Sequence, residues 1–156
     1  MDTILFHNTM RIHDGHREQF DDVVRRAVAF VEANGPQLMV QVFVDEERGE
    51  AHSFQLYPDS DAVLAHWSMS DPFIREVMEH CDVASFETYG AMSDAVLGGL
   101  RTGVAGGATV RPPLTGFARL APPAGGNARS GRAESAGGPG ETEGRAGDAQ
   151  PGGVRR

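Results

Sequence analysis

Apolar residues alternate along the first segment of the chain. Ile4, Phe6, Met10 and Ile12 fall on one side, and His7, Thr9 and Arg11 on the other. That period of two predicts a strand with one buried face. Asp14-Gly15 marks a turn. From His16 to Asn34 the apolar positions are Phe20, Val23, Val24, Ala27, Val28 and Val31, which is the spacing of a helix with one apolar stripe. Gly35-Pro36 closes it, with glycine at the usual C′ place and proline just beyond. Gln37 to Asp45 reads as a second strand carrying Leu38, Val40, Val42 and Val44 on one face. The polar stretch Asp45 to Glu50 is a hairpin loop. Ala51 to Tyr57 is the third strand, with His52, Phe54 and Leu56 on one side. Asp59 or Ser60 caps a short helix through Trp67. After a break at Ser68-Met69-Ser70, Asp71-Pro72 starts another helix, with Phe73, Val77 and Cys81 on its inner face. Val83 to Tyr89 is the fourth strand, and Ser93 to Leu100 a last short helix.

The order is β-α-β-β-α-β, the ferredoxin-like α+β arrangement of an antiparallel sheet with helices on one face. The other face needs a cover. Met39 and Phe43 stand opposite the valine row of the second strand, so both sides of the sheet carry apolar groups there. A second copy of the chain is the simplest cover, which predicts a homodimer.

Beyond Arg101 the periodicity stops. Gly106-Gly107, Pro112-Pro113, Pro122-Pro123, Gly125-Gly126 and Gly137-Gly138 punctuate a run of Ala, Arg and Ser. Such a composition buries too little apolar surface to offset its ordering entropy. The expected division is a domain over residues 1–100 and a disordered tail over 101–156, whose only bulky group, Leu114, Phe117 and Leu120, is expected to be solvated rather than docked.

Charge changes sign at the same place. Through Leu100 there are 18 acidic residues against six arginines; from Arg101 on, eight arginines face four acids, and there is no lysine. An acidic domain repels phosphate backbones, so nucleic acid is not an expected partner. No apolar run is long enough to span a bilayer, and Asp2, His7 and Asn8 interrupt any signal-peptide core, so no membrane association is expected and the expected location is the cytoplasm. The single cysteine allows no intrachain disulfide.

Few residues suggest chemistry directly. Asn8 lies on the apolar face of the first strand between Phe6 and Met10. A buried amide must find partners or cost about 1–3 kcal/mol, so it is either a satisfied core asparagine or an amide aimed into a pocket. Trp67, the only tryptophan, is either core or the wall of a pocket for a flat ligand. The histidines lack metal-ligand spacing, so no metal site is expected. No glycine-rich nucleotide loop and no nucleophile elbow is present.

Three segments, taken in order, resemble the antibiotic biosynthesis monooxygenase family of dimeric α/β barrels. They are Ile4-Leu5-Phe6-His7-Asn8-Thr9-Met10 followed by Asp14-Gly15; Phe54 through Ala62; and Ala65-His66-Trp67 leading to Ser70-Asp71-Pro72-Phe73. The resemblance implies a pocket between sheet and helices. It also implies a reaction in which a small aromatic quinol or polyketide-like phenol meets molecular oxygen with no cofactor. Asn8 would then be the donor to the substrate oxygen and Trp67 the wall. His66 or Tyr57 would be the proton acceptor or relay, and Phe6, Met10, Phe73 and Val77 would line the pocket beside Tyr57. Haem-degrading members of the family place an axial histidine where this chain has Val77, and His80 lies one turn on. Haem binding is therefore the least favoured reading, behind a non-catalytic dimeric binding or assembly module.

Overall fold

A computed structural model describes residues 3–119. The elements are β1 (Ile4–Ile12), α1 (Arg17–Asn34), β2 (Met39–Asp45), β3 (Glu50–Tyr57), α2 (Ser60–Met78), β4 (Cys81–Tyr89), α3 (Asp94–Gly103) and β5 (Thr109–Arg111). The sheet order is β2-β3-β1-β4-β5. Its first four strands pair antiparallel, and β5 joins β4 in parallel. The fold is the expected ferredoxin-like α+β arrangement, with a mixed rather than wholly antiparallel sheet.

The differences from the sequence reading are local. The segment from Ser60 to Met78 is one helix, not two, with Pro72 inside it. Its buried residues Ala62, Val63, His66 and Ser70 continue one stripe through the expected break, so packing against the sheet outweighs the missing hydrogen bond of an interior proline. Trp67 therefore sits in mid-helix. Asp59 caps the start by accepting from the Ala62 amide at 2.8 Å. Cys81 opens β4 instead of lining a helix and is fully buried.

Gly35 ends α1 with an extended φ of −85°, not in a left-handed C′ conformation. A Cβ there would collide with the Val31 carbonyl and the Gln37 side chain. The glycine serves a close approach of backbone to side chain.

Beyond position 100 the chain is more ordered than its composition suggested. Helix α3 runs on to Gly103, and β5 forms within the segment read as tail. The reason is local pairing: Thr88 Oγ1 donates to the Thr109 carbonyl at 3.1 Å, and the Gly90 amide donates to the Arg111 carbonyl at 3.0 Å. Leu114 and Phe117 are 97% and 87% exposed. Residues 120–156, with Leu120 and most of the expected tail, lie outside the described residues. No helix among the described residues is long and apolar enough to cross a membrane.

The inner face of the sheet holds two separate cores. Beneath α2 and α3, Ile4 and Phe6 pack with Tyr57, Ala62, Val63, Val96 and Leu100. Toward α1, Met10 and Ile12 pack with Phe20, Ala51 and Cys81. Burying each such Ile, Val or Phe side chain contributes about 1.5–3 kcal/mol. Asn8 is the residue of β1 that falls between the two cores. An amide on an otherwise apolar row divides the core, and the interior space opens beside it.

Candidate functional site

Two cavities flank Asn8. The larger, about 500 Å³, lies under α2 and α3 and is walled by Phe6, Tyr57, Trp67, Phe86 and Leu100. The smaller, about 140 Å³, lies under α1 and is walled by Met10, Val28, Val42, Phe73 and Val77 among others. Asn8, Gln55, His66, Ile74 and Met78 border both. The shared wall runs from the buried His66 to Ile74 and Met78, which are exposed on α2. The residues expected to line one pocket divide between the two: Phe6, Tyr57 and Trp67 border the larger, Met10, Phe73 and Val77 the smaller, and Asn8 and His66 both, so Asn8 and Trp67 border the same cavity.

The sheet aims these side chains by register. Asn8 is paired with Ser53 on β3 and Phe86 on β4. One step along β1, between Thr9 and Met10, the pairing to β4 shifts by a residue. Such a bulge re-aims side chains on a strand and marks many ligand sites. Alternation on β3 turns Ser53, Gln55 and Tyr57 inward and leaves His52, Phe54 and Leu56 on the opposite face.

The aromatic wall is built by close packing. Phe6 lies 5.3 Å from Phe86 in an edge arrangement and 6.4 Å from Trp67 with rings 27° apart. Gly99 on α3 admits the Trp67 ring, since a Cβ there would come within 2.5 Å of Cζ3. The result is a slot with aromatic sides, suited to a flat ring.

The polar groups form a short network with a gap. Tyr57 donates its hydroxyl to Gln55 Oε1 at 2.6 Å, and burial pushes its phenol well above the ordinary value. That hydroxyl is engaged and holds Gln55. Gln37 Nε2 lies 2.6 Å from His66 Nδ1, and the Ser70 hydroxyl lies 3.0 Å from the same nitrogen. An amide N–H can only donate, so Nδ1 accepts and Nε2 carries the ring proton. Burial pushes His66 down to about 4, so the ring is neutral at physiological pH. Among the described residues, two buried oxygens, Asn8 Oδ1 and Gln37 Oε1, have no partner. Each unmet acceptor costs about 1–3 kcal/mol.

Gln37, Gln55, Ser53 and Ser70 were not singled out from the sequence. The signal for the inward polar row was the alternation of β3, and for Ser70 its position one turn after His66. Gln37, read from the sequence as the start of the second strand, lies before β2, which begins at Met39, and its direction is set by tertiary contacts. Asp71 and Asp82 also border the larger cavity; they pair with Arg75 at 2.6 Å and with His13 at 3.0 Å.

The residues do not fit haem as the resemblance would require. Val77 supplies no ligand and borders the smaller cavity. His80 pairs with His16 at 3.0 Å and borders neither.

No family model matches the sequence. No curated protein matches it. Solved structures do match the fold. MupZ from Pseudomonas fluorescens aligns with a TM-score of 0.67 over 76% of this chain and 96% of its own, at 16% identity. SnoaB, a cofactor-independent oxygenase from Streptomyces nogalater, aligns with a TM-score of 0.52 over 60% and 96%, at 16% identity. A candidate antibiotic biosynthesis monooxygenase from Caulobacter crescentus CB15 aligns with a TM-score of 0.51 over 59% and 92%, at 21% identity. The sequence resemblance therefore holds at the level of architecture: the chain has the ferredoxin-like α+β fold of the antibiotic biosynthesis monooxygenases.

Proposed function

We propose that the protein is a monooxygenase that oxidises a small aromatic quinol or polyketide-like phenol with molecular oxygen and no bound cofactor. One observation carries the reading: Asn8, whose buried Oδ1 has no partner among the described residues, borders a cavity walled by Phe6, Trp67 and Phe86. A flat ring fills the slot, and its phenolic O–H donates to Asn8 Oδ1. The neutral His66, protonated at Nε2, donates to a second substrate oxygen. His66 then acts as a donor, and Tyr57 positions Gln55. SnoaB, described as a cofactor-independent oxygenase, supports this choice of chemistry on the shared fold.

The chemistry needs little more. The electron-rich phenol passes an electron and its hydroxyl proton together to oxygen, and the resulting phenoxyl and hydroperoxyl radicals recombine at a ring carbon. For a phenol taken to a quinone, one oxygen atom stays on that carbon. The other leaves as water with the phenolic proton and the ring proton. The protein's share is to bind the ring, fix its oxygens and hold their charge with preorganised dipoles.

The working unit in this proposal is a homodimer joined through the outer sheet face. Phe43, 53% exposed, lies 6.0 Å from Phe54, on which the His7 ring stacks at 4.3 Å. The buried Cys81 thiol suits a reducing compartment, and the cytoplasm is the proposed location.

The test is oxygen uptake with a panel of quinols and naphthols, wild type against Asn8→Ala. Uptake with at least one compound, reduced on the order of 100-fold or more in the variant, is expected. Equal rates in both proteins would remove Asn8 from the reaction. Binding without uptake by any compound would identify a binding module.

A further inference from the structure

The smaller cavity is not needed to hold a flat ring, and the reaction proposed above makes no use of it. Its walls differ from those of the larger one. Val28 on α1, Val42 on β2 and Val77 on α2 give it a mainly aliphatic lining, with Phe73 its one phenyl ring, where the larger cavity is walled by Phe6, Tyr57, Trp67 and Phe86. It begins at Asn8 and His66, two of the five residues that border both spaces. Gln37, whose buried Oε1 is the second oxygen without a partner among the described residues, also lines it. A cavity of about 140 Å³ is close to the roughly 150 Å³ apolar cavity that accepts one benzene, so it holds a group of about six carbons.

We infer that the smaller cavity is a second substrate subsite. In it, the aliphatic lobe under α1 takes an apolar arm of about six carbons attached to the aromatic head. The arm carries one hydrogen-bond donor that meets Gln37. The inference rests on the proposed aromatic-head site and names the substrate class more narrowly: a hydroxylated aromatic with a short hydroxylated side chain, not a bare quinol. The head's hydroxyl sits at the junction on Asn8, and the arm's hydroxyl donates to Gln37 Oε1. Gln37 is thereby coupled to chemistry, since its Nε2 donates to His66 Nδ1. Occupying the amide oxygen polarises the amide and strengthens that bond. Gly35 is what brings Gln37 there, because any Cβ would displace its side chain.

The experiment measures binding rather than turnover. Trp67 is the sole tryptophan and walls the head slot, so quenching of its fluorescence reports occupancy. Three probes are compared: a dihydroxynaphthalene, the same ring with an n-hexyl arm, and the ring with a 6-hydroxyhexyl arm. In the wild type the hexyl arm tightens binding at least tenfold, and its terminal hydroxyl tightens it further. Val28→Phe and Ala27→Leu, both on the lobe's α1 wall, abolish the arm's gain while leaving the bare ring's affinity unchanged. Retained binding of the bare ring shows that each variant is folded. Gln37→Leu removes only the hydroxyl's increment.

Equal affinity for the bare and the hexyl probe overturns the subsite, and so does an arm gain that survives both lobe-filling variants. Oxygen uptake separates this inference from the proposed reaction. Arm-dependent binding without uptake by any probe keeps the subsite and removes the monooxygenase. Uptake with the bare ring and no arm effect does the reverse.

Discussion

The two faces of the sheet treat their polar residues in opposite ways. On the outer face, polar groups are numerous and paired. His7 lies 3.1 Å from His52 and 3.3 Å from Glu87, and Tyr89 donates to Glu87 at 2.9 Å. The apolar groups between them, Phe43 and Phe54, stay partly open. On the inner face the apolar groups are covered, and two polar oxygens have no partner among the described residues. Satisfied polar groups around open aromatics suit a protein surface, which supplies area and shape. Unsatisfied polar groups inside a cavity suit a small molecule that brings its own donors. On the proposed reading, the comparison separates an association face from a reaction face on a single layer of strands.

Asn8→Ala probes that division most strongly. Activity and stability move in different directions if the amide serves a ligand. Oxygen uptake falls on the order of 100- to 1,000-fold, as for removal of one preorganised polar group. The unliganded protein melts at the same temperature or higher, because the variant removes an unmet acceptor that costs about 1–3 kcal/mol. A melting temperature several degrees lower in calorimetry would make Asn8 a structural asparagine and erase the contrast between the faces.

The outer face is tested by charge. Phe43→Arg places a guanidinium on the open aromatic row without touching either cavity. If that face joins two copies, the molar mass in light scattering halves. Quinol binding, read through Trp67, persists in the monomer. An unchanged mass would mean the outer face is not the association surface.

His66 tests the inner face through pH. Its pKa falls from 6.5 to about 4 on folding, so between those values the unfolded chain holds the extra proton. Stability is therefore full above about pH 6.5 and is lost as pH falls toward 4. The window from pH 7.5 to 5 carries about 2 kcal/mol from this group. Urea titrations across that window show a slope in the wild type that is reduced by about that amount in His66→Gln. Equal slopes would mean that the ring is solvated and free to take a proton, and would return it to the role of base.

Much of this division was legible in the chain. The period-two row of β1 and the 3.6-period stripes of α1 and α2 specify strands and helices whatever surrounds them, and the order of elements restricts the topology to few choices. Asn8 stood out because an amide on an apolar row violates the row's own pattern. The unbroken α2 was not legible: Pro72 and the Ser68-Met69-Ser70 segment are local signals, and the stripe that overrides them matters only once a sheet lies beneath it. Strand β5 was hidden for the same reason. Three residues between glycines and prolines carry no period, and their pairing depends on the edge that β4 offers. Gln37 and the second cavity needed the fold itself, because a cavity is a property of two elements that fail to meet.

The finest test concerns the aromatic wall and uses two neighbouring glycines of α3. Replacing either by alanine gains about 1 kcal/mol of helix propensity. At Gly98 a Cβ meets nothing within 4 Å, so Gly98→Ala shows that gain alone, a rise of about 4 °C in melting temperature. At Gly99 the Cβ comes within 2.5 Å of Trp67 Cζ3 and 3.1 Å of Cη2. Overpacking of that kind costs about 1–3 kcal/mol, so Gly99→Ala melts at or below the wild type and shifts the emission of Trp67. The indole is a wall of the larger cavity, so the shift comes with weaker binding of the bare naphthalene probe, while Gly98→Ala binds it normally. Two adjacent methyl groups on one helix thus separate helix stability from the shape of the slot. If both variants behaved alike, α3 would not hold Trp67 against the cavity, and the aromatic wall would have to be set by β1 and β4 alone.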